Sequence, residues 1–457
     1  MRNMNPAHPS GGPSCRVSRD LILLMFVALA VFLCCRPVGA KAAPLDRKTQ
    51  TAVIDSLCAA LGETYVFPDV AKEMEKLIRK NLKEGTYAAL DNLSDSAGRL
   101  TADLQSVSHD KHLRVVPLPP RGPDDETKLS PEERQKQQAE QQRYENFGFK
   151  KVELLPGNIG YIDFRYFAEA EDAGRTAIAA MNFLANADAL IFDLRQNGGG
   201  SPSMIQLLSS YLFEEPVHLN SFYIRKSGET KQFWTQTWVD GPRMADTPVY
   251  VLTSNATFSG AEEFTYNLKN MKRGTIIGET TGGGAHPVEY NIVESLGIAF
   301  SVPFGRAVNP ITGTNWEGTG IEPDIKVPAD QALSTARIEA MKKLMEREQN
   351  ALKKSRLTWV LRGLEAEKNP VTLDERTLQS YAGTYGSRKV RLEGGALYYQ
   401  REGRPEYKLL PMGDDTFMIK ETDYFRVKFN RNASGDVVEF VGMYDNGTTD
   451  SNKRDAR

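Results

Sequence analysis

Residues 189–200 read Ala-Leu-Ile-Phe-Asp-Leu-Arg-Gln-Asn-Gly-Gly-Gly, and residues 249–260 read Val-Tyr-Val-Leu-Thr-Ser-Asn-Ala-Thr-Phe-Ser-Gly. Each starts as an unbroken apolar run and ends in a turn of small residues. Such a run, without polar alternation, marks a strand covered on both faces. Segments with helical spacing lie around them, at 171–185, 203–212 and 259–271. Further strand-like runs occur at 152–155 and 159–164, joined by the hairpin signal Pro156-Gly157-Asn158, and at 275–278. Strands alternating with helices predict an α/β domain over 147–330.

Outward from this block the character changes. Val53, Leu57 and Leu61 share one helical face. Pro68 opens a second run (Val70, Met74, Leu77, Ile78, Leu82), and Leu93, Ala97, Leu100 and Leu104 make a third. These form an N-terminal helical domain, 41–118. Residues 119–146 contain almost nothing apolar and read as a solvated linker, helical in its second half. Residues 331–368 form a helical connector, with one charged amphipathic helix over 331–355. Residues 369–457 carry six short alternating runs between 389 and 444 and predict a separate C-terminal antiparallel β domain. Tyr398, Tyr399, Phe417 and Phe425 are expected to form its core.

The 457 residues are 40% hydrophobic and 25% charged, with a formal net charge of −2. That suits a globular protein and gives no basic footprint for nucleic acid. Arg16 and Arg19 precede a fifteen-residue apolar run, 21–35, followed by Val38-Gly39-Ala40. The run is short for a bilayer span, which needs about 17–25 residues, and fits a signal peptide over 1–40. The mature chain is therefore expected to be exported, periplasmic or extracellular, with no membrane span. Of the 4 cysteines only Cys58 remains after cleavage, among Leu57, Ala59 and Leu61. No intrachain disulfide is then available, and Cys58 reads as a buried small apolar residue. The chain lacks the phosphate-loop, dinucleotide, His-Glu-x-x-His and Cys-x-x-Cys patterns, so no cofactor and no metal is expected.

What remains for chemistry is Ser259, where a strand turns into a helix. A hydroxyl there meets the free N–H groups and positive dipole end of the helix, which favour a developing negative charge. The same letters, Ser259-x-x-Glu262, also spell a capping box that does no chemistry. The glycines 198–200 end the other buried strand and suit backbone N–H groups that must approach a ligand closely. A serine needs a base. His218 lies in a polar stretch and reads as a surface residue. His109 and His112 end the helical domain, and His286 follows Gly282-Gly283-Gly284 and could line the same cleft, as could Glu262. Spacing does not choose among the three.

Four segments in order are similar to the C-terminal processing (tail-specific) peptidase family: 193–200 (DLRQNGGG), 253–263 (TSNATFSGAEE), 278–284 (GETTGGG) and 317–324 (EGTGIEPD). The resemblance implies a crotonase/ClpP-like ββα core. One branch of that family pairs its serine with a lysine, but Gly284 stands at that lysine position here. Lys269 and Lys272 lie roughly 15–20 Å down the helix. The other branch resembles the tricorn core protease and the interphotoreceptor retinoid-binding protein. Its pattern implies Ser259 as nucleophile, His112 as base and then acid, Glu317 as the supporting carboxylate, and an oxyanion hole from the N–H groups of Gly199 and Gly260. The implied function is an exported serine peptidase acting on peptide or protein substrates. The alternative is a non-catalytic binder of an apolar ligand or peptide on the same fold. A third, an acyl-CoA enzyme, sits poorly with an export signal.

Overall fold

The six residues Ile298–Pro303 are all buried, and they decide how the chain divides. The computed structural model describes residues 46–118, apart from 89 and 91, and residues 130–456. The expected signal peptide, 1–40, and residues 119–129 of the expected linker lie outside the described residues. The chain forms two compact units.

In the first unit, three helices form where expected: Arg47–Thr64, Pro68–Lys83 and Leu93–Ser108. Asp46 caps the first by accepting from Thr49 N–H, Pro68 sits at the first helical position of the second, and Asn92 caps the third through Asp95 N–H. Their shared apolar face (Leu57, Leu61, Met74, Ile78, Leu104) packs on Ile298, Phe300 and Val302. Strand Ile298–Pro303 is the centre of a three-stranded antiparallel sheet, flanked by Arg114–Pro117 and Val288–Val293. This differs from the expected boundaries, because 223–229 and 286–306 belong with the helices and not with the α/β domain. Three amphipathic helices leave one apolar face that needs a cover, and a strand's composition does not say which partner it will find.

The second unit contains a six-stranded sheet. Its order is Ile325–Lys326, Gly274–Gly278, Val249–Thr253, Ala189–Asp193, Ile159–Phe164, Phe149–Leu155, and only the last pair is antiparallel. Ala189–Asp193 and Val249–Thr253 are buried at every position. Leu190 and Phe192 face a core with Phe264, Leu268 and Met204, while Ile191 and Leu252 face one with Ala332, Ala336 and Met341. Cover on both faces is what the unbroken apolar runs require. The expected single helix over 331–355 is two helices, Ala332–Arg347 and Ala351–Lys368. Glu348 closes the first, its N–H donating to Leu344 O, and Asn350 caps the start of the second, its side chain accepting from Leu352 and Lys353 N–H. The expected linker helix is Pro131–Tyr144.

Residues 383–453 of the same unit form an eight-stranded antiparallel meander, two strands more than expected. Asp455 N–H donates to Thr384 O at 2.9 Å, tying the chain's end back to the first strand. Tyr399, Phe417 and Phe425 enter its core with Tyr381, Tyr385, Phe429 and Phe440. Tyr398 does not. Neighbours on a strand point to opposite faces, and Tyr398 lies outside under the Arg391 guanidinium, 4.7 Å from its ring centre.

Candidate active site

Two strand ends are laced together before Ser259 is reached. The Thr257 hydroxyl donates to Leu194 O at 2.8 Å and accepts from Ser254 N–H at 2.9 Å. The Ser254 hydroxyl donates to Arg195 O at 2.5 Å, and Phe258 N–H donates to Asn197 O at 3.1 Å. Asn197 is fully buried, and its side chain links Phe164 O (3.0 Å) to Gly199 N–H (2.9 Å).

Ser259 then opens the helix Gly260–Asn270 with φ 54° and ψ −122°. An ordinary capping serine sits in the extended region at negative φ. A non-glycine residue at positive φ costs on the order of 1–3 kcal/mol and persists only where its surroundings enforce it. The glutamate half of the capping box is present, with Ser259 N–H donating to Glu262 Oε2 at 2.9 Å. On the other side, Glu262 N–H faces the serine side chain, but no capping bond of normal geometry reaches the hydroxyl. A strained strand-to-helix turn that presents a hydroxyl is the geometry of a nucleophile elbow.

Gly199 is the close neighbour. At φ 104°, a Cβ there would come within 2.7 Å of Ser259 Cβ and Gly260 N, so only glycine fits. One expectation needs correcting: Gly199 N–H is already engaged by Asn197 Oδ1. Of the three glycine amides beside Ser259, those of Gly200 and Gly260 have no acceptor among the described residues.

Glu262 does not line an open cleft, because it is fully buried. Its Oε1 accepts from the Thr281 hydroxyl (2.5 Å) and Gly283 N–H (2.7 Å). Its Oε2 accepts from Gly284 N–H (2.8 Å) as well as Ser259 N–H. Burial pulls its carboxyl above the ordinary range, and the four donors oppose that. Its neighbour Glu263 has no comparable set of donors, and burial pushes it up to about 8.

The glycine turn that Glu262 grips also holds Glu317. Ala285 N–H donates to Glu317 Oε2 at 2.5 Å, Gly318 N–H to Gly283 O at 3.1 Å, and Trp316 Nε1 to Gly284 O at 2.8 Å. Ser259, Gly199, Gly260, Glu262 and Glu317 are thus brought into one bonded assembly within the second unit. Lys269, on the serine's helix, is paired with Asp324 at 3.0 Å.

His112 and His286 belong to the first unit. His109 caps the helix Leu93–Ser108 in the left-handed region, and His112 follows in the turn, its pKa pushed down to about 4 by burial. His286, expected to line a cleft, is instead buried, with Nδ1 2.6 Å from Asp110 Oδ2. Asp110 carried no warning in the sequence beyond its neighbourhood to His112.

The sequence profile of peptidase family S41 matches residues 158–327, and that of the N-terminal domain of peptidase S41 in eukaryotic IRBP matches 40–156. Both describe one class, the S41 serine peptidases. The chain belongs to peptidase family S41. It is 30% identical over 185 residues to carboxyl-terminal-processing peptidase 2, chloroplastic, of Arabidopsis thaliana, a match covering 38% of this chain and 34% of that one. The match thus spans about a third of that relative's length. Among solved structures, the photosystem II D1 C-terminal processing protease (15% identity, TM-score 0.38) covers 62% of this chain and 94% of its own. For a peptidase from Parabacteroides merdae the values are 18%, 0.44, 66% and 96%, and for the tricorn protease 14%, 0.40, 66% and 37%.

Proposed function

We propose that this protein is an exported serine peptidase with a crotonase/ClpP-like core, and that Ser259, His112 and Glu317 carry its chemistry. The observation that carries the reading is the backbone of Ser259, held at positive φ at the start of a buried helix. Ser259 Oγ attacks the peptide carbonyl while the His112 imidazole takes its proton. The C–N bond then breaks as His112 returns that proton to the leaving amine, and water hydrolyses the acyl-serine by the same steps reversed. A neutral imidazole, which burial favours at His112, is the form that can accept the proton. Gly260 N–H and an amide of the 198–200 turn hold the oxyanion. Gly200 supplies that amide as the turn stands, and Gly199 can do so only if Asn197 releases it. Glu317 acts as a carboxylate in the imidazole's surroundings.

A fluorophosphonate probe should label Ser259 in the full-length protein. Ser259→Ala should abolish labelling and lower peptide turnover on the order of 10⁶-fold without changing the fold. An alanine variant that hydrolyses peptides at the parental rate overturns the assignment. Absence of labelling in a folded parent would favour a non-catalytic binder.

A further inference from the structure

The first unit contains a second imidazole–carboxylate pair that the proposed chemistry does not use. Asp110 is fully buried and His286 is 5% exposed, with Nδ1 and Oδ2 2.6 Å apart. That is the short distance of a charge-assisted hydrogen bond. The other carboxylate oxygen, Oδ1, accepts the backbone N–H of His112 at 3.1 Å. Asp110 N–H donates to the Ser108 hydroxyl at 3.2 Å, and the Tyr65 hydroxyl stands 3.4 Å from Oδ2. On the far side of His112, its carbonyl accepts from the Ser301 hydroxyl at 2.5 Å. The His286 ring meets Phe67 edge to face, with centres 5.6 Å apart. Both backbone polar groups of His112 are therefore fixed, and one of the two anchors is itself fixed by an imidazole 176 residues away along the chain from Asp110.

We infer that Asp110 and His286 act as positioning residues for His112, Asp110 gripping its turn and setting its basicity and His286 locking Asp110 in place. The inference rests on His112 being the base. The bland rival is a turn stabilised by an aspartate that happens to be paired. In that case the two substitutions would alter stability and nothing else. The positioning role makes a sharper claim, because the two partners act on the His112 cation with opposite signs. The Asp110 carboxylate stabilises it, while His286 and Arg114 oppose it, all of them after the larger effect of burial.

The experiment is the pH profile of kcat/KM for the full-length enzyme, with thermal melts alongside. Asp110→Asn, nearly isosteric, should lower kcat/KM by about tenfold or more, mostly in kcat, and move the acid limb to lower pH. His286→Leu should also lower kcat but move that limb to higher pH. His286→Asn, whose amide can still donate to Asp110 but cannot carry charge, should recover most of kcat and keep the upward shift. An Asp110→Asn or His286→Asn enzyme that folds and keeps both the parental kcat and the parental limb overturns the inference. So does movement of both limbs in the same direction. His112→Ala separates the two claims. If that variant retains parental turnover, His112 is not the base and the underlying reading fails. If it is dead while Asp110→Asn and His286→Asn behave as the parent, only the positioning role fails.

Discussion

Removing the Glu262 carboxylate tests whether Ser259 is held in place by its surroundings, and the size of the effect can be worked out donor by donor. Four groups point at this side chain: Ser259 N–H, Gly284 N–H, Gly283 N–H and the Thr281 hydroxyl. Each buried donor left without an acceptor costs about 1–3 kcal/mol. Glu262→Ala strands all four, and partial access of water reduces the sum to roughly 4–8 kcal/mol. That is a large part of a typical domain stability of about 5–15 kcal/mol. Glu262→Gln has a cheaper arrangement. Its amide nitrogen takes the Oε1 position and donates to the Thr281 hydroxyl, while its oxygen keeps Ser259 and Gly284. One backbone donor, Gly283 N–H, is then left facing an NH2 group. Burial already works against the charged form of Glu262, so neutralising it recovers part of that loss. The expected cost is about 1–3 kcal/mol, a drop in Tm of several degrees, against about 10 °C or more for alanine. Thermal unfolding by circular dichroism and the rate of fluorophosphonate labelling should be measured on the same samples. Glutamine should keep measurable labelling and alanine should lose it. An alanine variant that melts within about 2 °C of the parent and labels at the parental rate would refute the reasoning, since nothing else in that turn could then be depending on Glu262.

Ser259→Gly should abolish labelling yet raise urea stability by about 1 kcal/mol, because glycine adopts φ 54° without strain; a lower midpoint would show that no strain is stored there. Gly199→Ala should fold poorly or not at all and lose activity, since its Cβ would overlap Ser259 Cβ and Gly260 N; near-parental melting would mean the turn is slack. Glu263 is pushed up to about 8 in the fold against a reference of 4.5, so the native state holds its proton more tightly than the unfolded chain. Parent stability should therefore fall as pH rises from about 4.5 to about 8, and Glu263→Gln should remove that slope and exceed the parent at pH 8 in denaturant midpoints. His112 acts in the opposite sense. Its imidazole is held neutral down to about 4 against a reference of 6.5, so it contributes stability that grows between those values and is complete above them. His112→Gln should flatten that rise, leaving the Glu263 slope intact.

Much of the α/β architecture was legible because the signal was local. An unbroken apolar strand needs two covered faces, and Ala189–Asp193 and Val249–Thr253 have them. The first-unit helices were legible for the same reason, through apolar spacing and caps. What could not be read was the choice of partner. Val288–Val293 and Ile298–Pro303 lie inside the range expected for the α/β domain, yet they complete a sheet with Arg114–Pro117. The extra strands Gly383–Tyr385 and Thr449–Lys453 are short and polar, and they exist because the meander's ends meet at Asp455 and Thr384. At the candidate site, residue types predicted where a hydroxyl and glycines would gather. They said nothing of hydrogen bonds whose partners lie far apart in sequence, such as Asp110 with His286, or of a local side chain taking the Gly199 amide first.

The letters Ser-Gly-Ala-Glu are compatible with both a helix cap and a nucleophile, and the two differ in the sign of one torsion. Nothing in those four residues can set that sign, because the left-handed backbone is unfavourable for serine wherever it occurs. It is set from outside, by three groups of bonds. Asn197 O holds Phe258 N–H, Glu262 ties Ser259 N–H to the 281–284 turn, and Gly199 leaves room where a Cβ would push the serine away. Asn197 and Gly199 share the turn after Ala189–Asp193, Glu262 lies on the helix after Val249–Thr253, and its partners at 281–284 follow Gly274–Gly278, so the strain is enforced only when these three strands are in register. A reactive hydroxyl is on this account a late product of folding. A variant that loosens any one crossover should let Ser259 relax to an ordinary cap, keeping the helix and the sheet while losing the reaction with fluorophosphonate.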